Sequence, residues 1–197
     1  MNLVTDEELM LQVRSGEGET LGVLFERYHG PLFNFYARLM GDRTVSEDLV
    51  QEVFLRILRY RDTYQPGTPF RPWMYQIARN ARMDHYRKTP RLETFEPDML
   101  PPVAPHDSAQ QQQEGALLHR ALMRLSDEKR EVLILARFQE LKYTEIARLL
   151  GVELNTVKTR VHRALQDLRE AFRELERGAR KNAPSAAPNI SLGRAGQ

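Results

Sequence analysis

Cysteine is absent from the 197 residues. That removes structural disulfides and thiolate metal sites, and it fits a reducing compartment. No apolar run approaches the ~20 residues that a membrane-spanning helix needs, and the opening residues, MNLVTDEELM, lack the basic-then-apolar order of a secretion signal. A cytoplasmic protein without a membrane span is therefore expected. There is no glycine-rich phosphate loop, no nucleophile–base pair and no cluster of metal-ligand residues at ligand spacing, so neither catalysis nor a bound cofactor or metal is expected. Net charge is nearly lacking as well, at +2.

What the chain does have is charge in particular places. Residues 1–60 carry six basic and ten acidic side chains, residues 61–92 seven and two, and residues 156–181 eight and four. Two separated basic segments on a balanced chain point to two places where a polyanion touches, although either one alone would pass as an ordinary solvated face. Hydrophobic residues make up 41%, enough for packed cores.

Apolar residues recur at helical spacing along most of the chain, so the expected fold class is all-α: two small helical domains joined by a flexible linker. Thr5 to Ser15 reads as a capped amphipathic helix, with Thr5 and Glu8 forming a capping box. A second helix is expected from about Glu19 to Met40, with its aromatics in the core and Pro31 as a possible kink. A third, from Val45 to Tyr60, points Leu49, Val50, Val53, Phe54, Ile57 and Leu58 inward. Its other side shows Asp48, Gln51, Glu52 and Arg56. Asp48 and Glu52 lie one turn apart; without a histidine or third carboxylate they suit a polar docking surface better than a catalytic or metal pair.

After a loop broken by Pro66-Gly67, WMYQIARNARMDHYRK resumes the helical period. Trp73, Ile77, Met74 and Ala81 are expected inside, with Gln76, Arg79, Asn80, Arg82, Asp84, Arg87 and Lys88 outside. Bases, amides and aromatics interleaved in this way suit unstacked nucleic acid. The helical signal fades from Thr89 to Gln113, where prolines crowd. The expected boundaries are thus a first domain over 1–88, a linker over 89–114, a second domain over 115–178 and a disordered tail over 179–197.

Ser126 is expected to cap the helix that leads into Tyr143–Leu168. This last stretch is two short helical patterns around Gly151, the layout of a helix-turn-helix. Thr144 is the expected cap of the first and Asn155 of the second. In the second, Val157, Val161, Leu165 and Leu168 face inward, which leaves Thr156, Lys158, Thr159, Arg160, His162 and Arg163 outside, where such a helix meets base edges and phosphates. A plain solvated helix is the competing reading.

The run DLVQEVFLRI, then FRPWMYQIARNARMDHYRK, then a linker, then LSDEKREVLILARFQELKYTEIARLLGVELNTVKTRVHRAL closely resembles the extracytoplasmic-function class of bacterial sigma factors. The match covers roughly residues 19–88 and 115–170. It implies a region 2 domain, a region 4 domain and a promoter-specificity subunit of RNA polymerase. Asp48, Gln51 and Glu52 match the helix that docks on the polymerase clamp coiled coil, and region 4 would meet the flap. Tyr64, Arg79, Asn80, Arg87 and Lys88 fall in the part that opens and reads the −10 element, with Asn80 at the position that captures an everted base. Thr156, Lys158, Thr159, Arg160, His162 and Arg163 fall in the −35 reader. Core RNA polymerase, promoter DNA and an anti-sigma factor are the partners implied. A stand-alone helix-turn-helix regulator, and a hydrolase using Asp48, Glu52 and His85, are the rival readings.

Overall fold

The computed structural model describes residues 4–88 and 109–182. The 89–108 part of the expected linker and the tail from residue 183 lie outside them. Among the described residues there are helices and no strand. The first half holds α1 (Asp6–Ser15), α2 (Thr20–Met40), α3 (Arg43–Tyr60), a single 3-10 turn at Arg61–Thr63, and α4 (Phe70–Lys88). The second holds α5 (Ala109–Met123), α6 (Asp127–Arg137), α7 (Tyr143–Leu150) and α8 (Leu154–Asn182).

Local chemistry sets most of these boundaries. The Thr5–Glu8 capping box forms as expected: the Glu8 N–H donates to Thr5 Oγ1 at 3.2 Å, and the Thr5 N–H to Glu8 Oε2 at 2.8 Å. Asp42 accepts from the Val45 N–H at 2.9 Å and starts α3. Glu7 of α1 accepts from the Phe70 N–H at 2.9 Å, so one helix supplies the cap of another. Gly41 ends α2 in the left-handed region at φ 74°.

Some expected boundaries move. α5 begins at Ala109, inside the expected linker, because the glutamine run there has good helix propensity. α8 extends to Asn182, past the expected start of the tail at residue 179, and its apolar stripe reaches Ala121 of α5 through Ala171 and Leu175. Thr144 is not a cap: Lys142 holds that position and its N–H donates to Glu145 Oε2 at 2.8 Å. Asn155 sits inside the first turn of α8 instead of before it. Ser126 holds the N-cap position of α6, but its side chain makes no capping bond.

The two halves share one apolar core. Leu24, Leu32, Phe35, Ile57, Phe70 and Met74 are fully buried, in one cluster with Val132, Ile134, Leu135 and Ile146 of the second half. Burying each such side chain contributes about 1.5–3 kcal/mol. α6 and α5 lie against α2, and α7 lies against α4. The aromatic stripe of α2 is only partly core: Phe25 is 37% exposed and Phe33 is half-buried. Trp73 is likewise half-buried, its ring edge-on to Tyr64 at 5.0 Å.

Candidate nucleic-acid interface

On α3, Asp48 and Gln51 are exposed on one face. Glu52 is half-buried and belongs to a chain of charges: its carboxylate takes Arg56 Nε at 2.6 Å, and Arg56 reaches Asp84 of α4 at 2.7 Å. Arg87 joins at Asp84. Hydrogen bonds from Arg56 and Arg87 hold the Asp84 carboxyl below the usual carboxylate range. Glu52 is thus engaged with a guanidinium, and among the described residues no three His, Asp or Glu side chains gather as a metal site. Sequence reasoning missed Leu55, which lies one turn beyond Gln51 and is 60% exposed. It lies off the inward register of α3 that Leu49, Val53 and Ile57 set.

On α4 the expected nucleic-acid residues part company. Asn80, Arg87 and Lys88 are exposed, and the Asn80 Oδ1 accepts from Gln76 Nε2 at 3.1 Å. Arg79 is half-buried and turned toward the second half: its Nε donates to Glu131 Oε1 at 3.1 Å, and its Nη1 reaches the Leu149 carbonyl at 3.5 Å. Arg82, expected outside, is 5% exposed and donates to the same Glu131 oxygen at 3.2 Å. Tyr64, expected on the DNA face, is fully buried, with its hydroxyl donating to the Thr68 carbonyl. Burial pushes that phenol up to about 12, so it stays neutral and acts as a core anchor for the loop before α4.

A crevice of about 490 Å³ opens between α3 and α4 beside Asn80. Tyr60, 45% exposed, and Met83, 51% exposed, stand on its rim. Aromatic and thioether faces next to a carboxamide and the Arg87 guanidinium can hold a flat, unstacked base. Tyr60 falls three residues after the buried Ile57 and so reads as core in the sequence, whereas Met83 lies on the Asn80 side of α4.

The helix-turn-helix forms as expected. Gly151 turns the chain at φ 65°, a left-handed conformation that costs glycine little. Val157 and Val161 are buried, while Leu165 and Leu168 pack at the edge of the core. Lys158, Thr159, His162 and Arg163 are exposed. Thr156 and Arg160 are half-buried, and Arg160 lies 3.6 Å from Glu128. The first turns of α8 therefore carry three cations or imidazoles free of ion pairing with α6, together with a threonine.

Two family matches divide the chain at the same place. Residues 24–92 match sigma-70 region 2, and residues 115–168 match sigma-70 region 4. Among similar proteins, the RNA polymerase sigma factor CarQ of Myxococcus xanthus is 33% identical over 170 residues, covering 85% of this chain and 97% of that protein. The ECF RNA polymerase sigma factor SigW of Bacillus subtilis is 27% identical over 177 residues, covering 83% and 95%. Among solved structures, CnrH in complex with the cytosolic domain of CnrY is similar at a TM-score of 0.67 and 27% identity, over 86% of this chain and 97% of that one. The sigma factor RpoE in complex with the anti-sigma factor NepR, from Bartonella quintana, is similar at 0.67 and 25%, over 77% and 96%.

Proposed function

Because the chain belongs to the extracytoplasmic-function class of RNA polymerase sigma factors, we propose how its surfaces divide the work of that class. The protein binds core RNA polymerase and directs promoter-specific transcription initiation through −35 and −10 elements; it is not an enzyme. In our reading, residues 1–88 form the domain that docks on polymerase and reads and opens the −10 element, and residues 115–178 form the −35-reading domain. Asp48, Gln51 and Leu55 make the docking contact, with Glu52 holding that face to α4 through Arg56. Asn80, Arg79, Arg87 and Lys88 meet the −10 strand, with Tyr60 and Met83 flanking an everted base. An amide suits that task because it pairs as donor and acceptor at once.

Lys158, Thr159, Arg160, His162 and Arg163, with Thr156 at the helix start, read the −35 element in the major groove. Bidentate pairing with guanine would supply about 1–3 kcal/mol of discrimination per contact. Work on RNA polymerase implies a cytoplasmic location, and no described helix is long and apolar enough to cross a membrane. An anti-sigma factor is the regulatory partner we infer, since the solved relative RpoE is held by one.

The observation that carries this division is the solvent-facing set Asp48, Gln51 and Leu55 on a helix whose other side is core. The test is co-purification with bacterial core RNA polymerase. Asp48→Arg/Gln51→Arg, and separately Leu55→Asp, should weaken binding by roughly ten-fold or more, about 1.4 kcal/mol, with the fold unchanged by circular dichroism. Undiminished binding by both folded variants would remove docking from α3.

A further inference from the structure

Between α2, the start of α4 and the end of α6 lies a cleft of about 660 Å³, and none of its lining residues belongs to the docking or DNA faces. The lining carries three arginines, Arg27, Arg38 and Arg71, against one acid, Asp6. That acid is already engaged: its carboxylate receives Arg27 Nη1 at 2.6 Å and the Tyr28 hydroxyl. Among the described residues Arg38 and Arg71 meet no carboxylate; Arg38 Nη1 donates to the Asn34 carbonyl of its own helix at 3.2 Å, and Arg71 donates to the Gln139 carbonyl. We propose that this cleft is an anion site, in which the Arg38 and Arg71 guanidiniums hold the phosphate groups of a small phosphorylated molecule.

The protein's own sources of counter-charge fall short. Burial raises the Tyr28 and Tyr75 phenols above their ordinary range, so these walls stay neutral. Arg38 is half-buried, and burial lowers its guanidinium from the ordinary value, where an adjacent carboxylate would act in the opposite direction. That guanidinium lies over the Phe138 ring at 4.5 Å, and a ring face offsets only part of a unit charge. The C-terminus of α6, which Phe138 caps, presents about half a unit of negative charge. Glu140 follows in the chain but is exposed and outside the lining. Because Arg38 and Arg71 are anchored on consecutive residues, Phe138 and Gln139, their charges fall together at one end of the cleft. Cations withdrawn from water are ordinarily paired, and this pair is not.

A phosphate group suits the two guanidiniums, whose planar forks match its oxygens in paired, charge-assisted hydrogen bonds. Asn34, half-buried in the same lining, has a side-chain amide that adds a donor. The volume falls in the range of about 300–1,000 Å³ usual for small-molecule sites, which leaves room for an organic part beside the phosphates. Walls come from both halves of the chain, so a ligand seated here binds the folded assembly and should raise its melting temperature.

The test is calorimetric titration of the full chain with sodium pyrophosphate and with magnesium-free ATP, at one fixed ionic strength, alongside thermal melts. Pyrophosphate should bind at one site with a Kd below about 1 mM and raise the melting temperature. Arg38→Gln and Arg71→Gln should each weaken it about ten-fold, with the fold unchanged by circular dichroism. Arg38→Gln reports alone should Arg71→Gln not fold, since Arg71 also holds Gln139. Equal affinity for the two probes would assign recognition to the phosphates themselves, and tighter binding of ATP would add its organic part; both support the site. Because the exposed cations of α8 also attract anions, Lys158→Gln/Arg163→Gln is the control and should bind pyrophosphate as wild type does. No binding of either probe, unchanged affinity in folded arginine variants, or a loss in the α8 control as large as theirs would overturn the proposal. So would weaker promoter binding by the Arg38→Gln holoenzyme with pyrophosphate affinity intact, which would hand the cleft to the DNA backbone.

Discussion

His119 of α5 is 8% exposed, and its Nε2 has no hydrogen-bond partner. Burial, then the charges of Arg38 from α2 and Arg130 from α6, push its pKa below the ordinary 6.5. The folded protein therefore holds this imidazole neutral to a lower pH than the unfolded chain, which takes up a proton below about pH 6.5. Its contribution to stability is complete above that pH and is lost as pH falls. Melting temperature should drop on acidification from about pH 7 to about pH 5.5, and His119→Leu should flatten that part of the profile. Thermal melts across the range check this; an unchanged slope in the variant would assign the acid sensitivity to other groups.

At the scale of the element, α3 both leaves Asp48, Gln51 and Leu55 exposed and presses Leu49, Val53 and Ile57 into the core. Its start depends on the Asp42 carboxylate and the Val45 N–H. Asp42→Ala should cost about 1 kcal/mol, measured by denaturant unfolding. Urea curves that overlay would mean that water satisfies the first turn equally well. Helices were the most legible feature of this sequence. The Thr5–Glu8 box, the α3 core stripe and the Gly151 turn all depend on neighbours within four residues, and such signals survive in one dimension. Tyr64 was not legible. A tyrosine in a proline- and glycine-marked loop has no periodicity to place it, and only the folded loop shows its ring against Trp73 and its hydroxyl on Thr68.

The whole molecule shows why the rest stayed hidden. Arg82 belongs outside by helical register, yet its partner Glu131 is 49 residues further along the chain, and no local pattern reports such a pairing. The exposure of Asp48 and Gln51 on α3 and of Lys158 and Arg163 on α8 was legible because the fold leaves them where register puts them. Arg79 and Arg82 were not, because the second half covers them. Since the two halves share one core, the free protein should unfold in a single cooperative transition. Calorimetry would give coincident van't Hoff and calorimetric enthalpies. Two resolved transitions would instead mean that each half stands alone and the contact between them adds little.

The length of α8 bears on that same assembly. Its 29 residues form one unbroken helix, about 43 Å long at 1.5 Å per residue. The turns that carry the exposed Lys158, Thr159, His162 and Arg163 sit at one end, and the turns seated on α5 through Ala171 and Leu175 sit at the other. A helix of that length behaves as a stiff lever. Tilting it by about 10° as it settles into a groove would displace the far end by about 7 Å. On the proposed assignment of α8 to the −35 element, the way that helix lies on its site would be transmitted as movement to α5, which packs against α2.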